Sequence, residues 1–219
     1  MGFLTGLKEF GALVDQANEE KKIEKTKTKW LGQVIGDGQS ARIRFVNELD
    51  EDSPSYTPDR GLAIVAYEHV DPDDYRHKAV CTEETGHCYG CEQVAKGVKG
   101  WWKKMRFYIN VLIDNGVDEP FVATWSMSVK RNPTFDILRE YSQETGSISN
   151  LTWRLKRNGT GTDTTWALIP TSPDAAPFDW SDIDIPVLES VLYQIPYEKQ
   201  AMWFGAVPEA PVAEESVPW

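Results

Sequence analysis

Residues 107–129 read FYINVLIDNGVDEPFVATWSMSV. Two runs rich in β-branched and aromatic residues flank Asn115-Gly116, a pair that readily takes the positive φ angles of a two-residue hairpin turn. The stretch therefore predicts two antiparallel strands, FYINVLID and PFVATWSMSV, each with one face for a core and one for something else.

The chemistry lies directly upstream. Residues 69–108, HVDPDDYRHKAVCTEETGHCYGCEQVAKGVKGWWKKMRFY, hold all three cysteines and all three histidines of the chain. Cys81, Cys88 and Cys91 form C-x6-C-x2-C. A two-residue gap lets one tight turn present both thiolates to a single ion, and tetrahedral zinc takes four such ligands. Gly90 lies inside that turn, where the lack of a Cβ allows close approach. The fourth ligand is then a histidine. His69 arrives on its own strand and gives H-x11-C-x6-C-x2-C; His77 is the competitor, and His87 ranks last because it adjoins Cys88 and neighbouring side chains diverge in extended chain. An odd cysteine count argues against a disulfide framework, and a Cys88/Cys91 redox pair leaves Cys81 unexplained. No open coordination position is implied, so one structural zinc is expected.

From Gln93 to Ile113 there is no acid, while Lys96, Lys99, Lys103, Lys104 and Arg106 alternate with Trp101, Trp102, Phe107 and Tyr108. Cations neutralise phosphates, and flat rings stack on unpaired bases of any sequence. This is the composition of a single-strand groove, although MRFYINVLI also suits a core strand with Trp101 and Trp102 as its apolar lead-in.

Further out, ARIRFV (41–46) alternates Arg42 and Arg44 with Ala41, Ile43 and Phe45, the period of a strand with one basic face. The preceding Gly-Asp-Gly is a turn; no Lys-Ser/Thr follows to make it a phosphate loop. GLAIVAYEHV (61–70) is a strand delivering His69. Glu48, Asp50, Glu51 and Asp52 between them read as a solvated acidic loop. Downstream, FDILREYSQETG (135–146) is a short helix stopped by Gly146. SISNLTWRLKRNGTGTDTTWALIP (147–170) is a second hairpin, with Leu151, Trp153 and Leu155 on one side and Thr152, Arg154 and Lys156 on the other.

At 219 residues, with 23 basic and 34 acidic side chains, the chain carries a net charge of −11. The average misleads. Residues 173–219 hold nine acids against Lys199 alone, so the first 172 residues are near balance at −3, with their bases clustered. An acidic tail on a domain with a basic groove competes for the groove or recruits partners. No run of about 18 apolar residues exists to span a membrane. Phe3, Leu7, Phe10, Val14 and Ala17 give an amphipathic helix at 3–20, followed by a charged hinge to residue 28. The expected organisation is this N-terminal segment (1–28), a binding core (29–172) with a zinc subdomain at about 61–100, a C-terminal wrap (173–204) packing through Leu188, Leu192, Tyr193, Tyr197 and Trp203, and a disordered Pro/Ala/Glu tail (205–219). About five strands, one helix among the later ones and basic-aromatic faces predict a mainly β fold, a small OB-type barrel.

KWL…ARIRFV, EH ahead of C-x6-C-x2-C-E, KMRFYINVLIDNG and LKRNGTGTDTTWALIP together resemble the single-stranded DNA-binding proteins of tailed phages, the T4-like helix-destabilising family and its actinobacteriophage relatives. The likeness covers most of residues 29–172. It implies an OB fold with a zinc-bearing subdomain, His69 with Cys81, Cys88 and Cys91 as ligands, an N-terminal segment that contacts neighbouring copies, and an acidic tail that binds replication or recombination proteins. The expected function is a non-catalytic coat on single-stranded DNA in the cytoplasm of an infected bacterium. Phosphate contacts are expected from Lys29, Arg42, Arg44, Arg76, Lys78, Lys103, Lys104, Arg106, Lys130, Arg131, Arg154 and Arg157. Stacking is expected from Trp30, Phe45, Tyr56, Trp102, Tyr108 and Trp125, though about half the aromatics must fill the core. The zinc-deaminase pattern H-x-E with C-x-x-C is absent, since Glu68 precedes His69.

Overall fold

The computed structural model describes residues 28–114, 119–173 and 179–205. In chain order its elements are a single helical turn α1 (Leu31–Val34), strands β1 (Ser40–Phe45), β2 (Ile64–Val70) and β3 (Lys78–Val80), helix α2 (Tyr89–Ala95), strands β4 (Lys104–Ile113) and β5 (Phe121–Ser128), helix α3 (Pro133–Thr145), strands β6 (Leu151–Asn158) and β7 (Thr165–Pro173), and helix α4 (Tyr197–Trp203). The predicted helix at 3–20, the Asn115-Gly116 turn and residues 206–219 of the tail lie outside the described residues.

The opening hairpin forms the middle of the sheet. β5 pairs with β4 along Arg106–Ile113. The opposite edge of β4 is divided: Lys104–Tyr108 pair with β2, and Val111–Ile113 pair with β1. β3 extends the β2 side, while β6 and β7 extend the β1 side, every pair antiparallel. Two wings thus leave one edge of a shared strand. The expected five-stranded barrel is corrected to a seven-stranded antiparallel sheet, which no pairing among the described residues closes.

Alternation along the strands separates two faces. Ile43 and Phe45 of β1, Phe107, Ile109, Val111 and Ile113 of β4, Trp125 of β5, and Trp153 and Leu155 of β6 pack with Leu138 of α3 into the main core. Helix α3 starts where Asn132 accepts from the Thr134 N–H at 3.0 Å and Pro133 presets φ, and it stops at Gly146 with φ 79°.

The C-terminal segment covers the other face of β4. Trp180, Ile183 and Ile185 pack on Val46, Leu112 and Val122; Leu188, Val191 and Leu192 pack with Ala66, Tyr108, Ile64 and Trp30. Under the first part of this strap, Asn110 Nδ2 donates to the Pro186 carbonyl at 2.8 Å. Glu48 departs from the solvated loop predicted for it. It is buried and accepts from the Ile148 and Ser149 N–H groups and the Ser147 and Ser149 hydroxyls, anchoring the turn before β6; Asp50, Glu51 and Asp52 stay exposed. No helix among the described residues is long and apolar enough to cross a membrane.

Candidate metal centre and cationic face

Three elements bring the ligands together. His69 stands near the end of β2, opposite Ala79 of β3. Cys81 follows β3 at once. Cys88, in extended backbone, precedes α2, and Cys91 lies in the first turn of that helix, so the change from extended to helical geometry aims both thiols at one point. One ligand atom from each of the four residues lies within 4.8 Å of the others, a set that can hold a metal ion. Cys81 Sγ is 3.6 Å from Cys91 Sγ, and Cys91 Sγ is 3.3 Å from His69 Nε2. A tetrahedron built on metal–sulfur bonds of ~2.3 Å and metal–nitrogen bonds of ~2.05 Å has edges of about 3.8 and 3.6 Å, so the cluster fits with small movements.

The surroundings orient His69. Its Nδ1 donates to the Trp101 carbonyl at 2.5 Å, which turns Nε2 toward the sulfurs. Gly90 makes room for the ring: a Cβ there would stand 2.2 Å from His69 Cγ, so its lack of a side chain serves the imidazole more than the sulfurs. The other histidines are elsewhere, His77 against Trp203 and Asp74, and His87 against Tyr197. Burial pushes the Cys88 thiol up, but hydrogen bonds from His69 and from the Cys91 and Thr82 backbone outweigh it and bring the thiol down to about 6. Burial holds Cys81 and Cys91 above the usual thiol range.

The predicted nucleic-acid residues divide into three groups. The first includes side chains committed to the fold, which corrects their expected role. Phe45, Tyr108 and Trp125 are 0%, 0% and 2% exposed and cannot stack on a base. Trp30 is half-buried edge-on against Tyr108 beneath the strap. Lys78 donates to Tyr108 Oη at 2.9 Å, and Tyr108 donates to buried Glu68 at 2.5 Å; burial holds the Lys78 amine below the ordinary lysine value. Arg157 donates to the carbonyls of Gly32 at 2.5 Å and Ile35 at 2.8 Å, tying down α1. Tyr56 is half-buried in the turns between β1 and β2.

The second group lies on the β2–β3–β4 wing that carries the cysteine cluster. Trp102 is 59% exposed, Lys104 is exposed, and Lys103 pairs with Glu83 at 2.6 Å while its Nζ lies 4.9 Å from the centre of the Tyr67 ring. Arg106 donates to Ser126 Oγ at 2.7 Å. Arg76 pairs with Asp74 at 2.8 Å beside Tyr75, which is 81% exposed. Tyr67 and Tyr75 escaped the sequence reading; alternation along β2 could have found the first.

The third group forms a cationic face on the β1–β6–β7 wing, opposite the main core. Arg42 stands directly across from Arg154, and Arg44 donates to Thr152 Oγ1 at 3.0 Å. Lys156, exposed two residues beyond Arg154, belongs to the same row. Lys29, over the Phe121 ring at 4.2 Å, and Lys130 and Arg131, in the turn after β5, are exposed apart from it. The single ring-lined groove is thus corrected to two surfaces, arginines on one wing and exposed rings on the other. The reason is that β4 turns its own rings inward. No protein-family model, curated protein or solved structure matches this chain.

Proposed function

We propose that this protein binds single-stranded DNA as a non-catalytic coat and that His69, Cys81, Cys88 and Cys91 hold one structural zinc ion. The observation that carries the binding is the facing pair Arg42 and Arg154. Like charges directly opposite on neighbouring strands destabilise a sheet, and neither guanidinium has an ion-pair partner among the described residues. A row of phosphates supplies the missing counter-charge. The exposed rings Trp102, Tyr67 and Tyr75 on the β2–β3 wing give unpaired bases flat partners. Three thiols and one imidazole at tetrahedral spacing favour zinc, and four protein ligands leave no open position for catalysis. An OB-type sheet, opened rather than closed, and the engagement of replication or recombination proteins by the acidic tail belong to the same reading, on the strength of the resemblance.

Titration of the intrinsic fluorescence with oligo-dT at low and high salt tests it. The expected result is quenching at low salt that weakens steeply as salt rises, with little response to duplex, and a loss of most of the quenching in Trp102→Leu. One stacking ring contributes roughly 1–3 kcal/mol per base, so that variant should bind about tenfold more weakly. Absence of any low-salt binding would sink the proposal and leave the arginine row a solvated surface.

A further inference from the structure

Gln200 lies 109 residues beyond the last cysteine, on a helix that carries no ligand, yet it is 1% exposed and every polar atom of its amide is used. Its Oε1 accepts from the Tyr89 N–H at 2.9 Å. Its Nε2 donates to Thr82 Oγ1 and to the Ile195 carbonyl, both at 3.0 Å. Tyr89 follows Cys88, and Thr82 follows Cys81. The Thr82 hydroxyl passes the chain on, donating to the His87 carbonyl at 2.5 Å, next to Cys88. One side-chain amide therefore cross-links the loop bearing Cys81 to the turn bearing Cys88 and Cys91.

The rest of the strap reaches the same centre. Val80, just before Cys81, donates its N–H to the Tyr193 carbonyl at 2.9 Å. Phe204 packs edge-on against Trp101 at 4.8 Å, and Trp101 supplies the carbonyl that orients His69. Trp203 Nε1 donates to the Lys78 carbonyl of β3 at 3.1 Å. Each of the three ligand-bearing segments is braced by residues 193–204.

We infer that metal binding and docking of this strap are one coupled equilibrium, with Gln200 as the positioning residue that couples them. The ligands have to be held at tetrahedral spacing before the ion arrives, and the strap does the holding; in return, an ion that fixes the two loops fixes the surface on which the strap sits. Such coupling is reciprocal: the factor by which docking tightens metal binding is the factor by which metal tightens docking. Groups outside the ligand set that orient it change metal affinity about 10–100-fold when removed. The inference rests on the metal reading of the cluster.

The full chain and its Gln200→Ala and Gln200→Glu variants test it under reducing conditions. Zinc and cobalt affinities come from competition with a chromophoric chelator, and amide exchange is followed at Val80, Tyr89 and Phe204 with and without metal. The expected result is affinity at least about tenfold weaker in Gln200→Ala. Gln200→Glu, which still accepts from Tyr89 but cannot donate to Thr82, should lie between. Metal removal should speed exchange at the three reporter amides by a matching factor and leave the β4–β5 hairpin unchanged. If the wild-type chain takes up no metal, the metal reading and the inference fall together. Metal uptake with less than a twofold change in Gln200→Ala, or reporter amides indifferent to metal, overturns the inference alone. Unchanged hairpin protection separates loss of coupling from loss of fold.

Discussion

At the scale of single residues, the cluster sets how many protons a metal ion must displace. The Cys88 thiol, held down at about 6, is already a thiolate at pH 7.5, whereas Cys81 and Cys91, held up by burial, still carry their protons. Zinc uptake at pH 7.5 should therefore release at least the two protons of Cys81 and Cys91, and apparent affinity should fall by about 100-fold or more per pH unit on acidification. Calorimetric titrations at pH 7.5 in buffers of different ionisation heat count the protons; fewer than two released would contradict the raised Cys81 and Cys91 thiols. The cluster was legible because spacing alone marks a C-x2-C turn, and the resemblance chose His69 over His77. The Trp101 carbonyl was not legible, since a backbone acceptor leaves no trace in the choice of side chain. Phe45, Tyr108 and Trp125 were misplaced for another reason: alternation divides a strand into two faces without saying what covers each.

Among the elements, the β1–β6 pair carries the binding prediction. If Arg42 and Arg154 each neutralise a phosphate, replacing both by alanine should lower the slope of log affinity against log salt by about 1.4, at roughly 0.7 per contact on a single strand. Folding stability should hold or rise slightly, because removing the two facing like charges relieves a cross-strand repulsion. Oligo-dT titrations at four salt concentrations measure the slope, and an unchanged slope would remove this face from the interface. Replacing Lys130 and Arg131, exposed in the turn after β5, provides the comparison and should change the slope less. These elements were readable because their periodicity is long: β1 alternates over six residues, β4 runs for ten, and α3 has its own cap and stop. β3 was not readable. Three residues, Lys78–Val80, pair with β2 because the turn at 71–77 returns them there, and so short a run has no period to detect.

On the scale of the whole molecule, one strand serves both wings and the strap, and Asn110 is where they meet. Its backbone N–H donates to Asn47 Oδ1 on the β1–β2 connection, its Oδ1 accepts from Thr124 of β5, and its Nδ2 holds the Pro186 carbonyl, the first two at 2.8 Å and the third at the same length. The residue is fully buried, so no water replaces a lost partner. Asn110→Ala removes the side-chain atoms of two of these bonds and leaves the Thr124 hydroxyl and the Pro186 carbonyl without partners, each at a cost of about 1–3 kcal/mol. The loss should total roughly 2–6 kcal/mol, and because both wings hang from β4 it should be felt in one transition rather than two. Urea unfolding followed by tryptophan fluorescence and by far-ultraviolet circular dichroism measures it. The expected outcome is a lower midpoint with coincident curves and an unchanged slope. Curves that separate, with the strap lost before the sheet, would show instead that the segment after residue 179 is a detachable cover and that β4 integrates only the two wings.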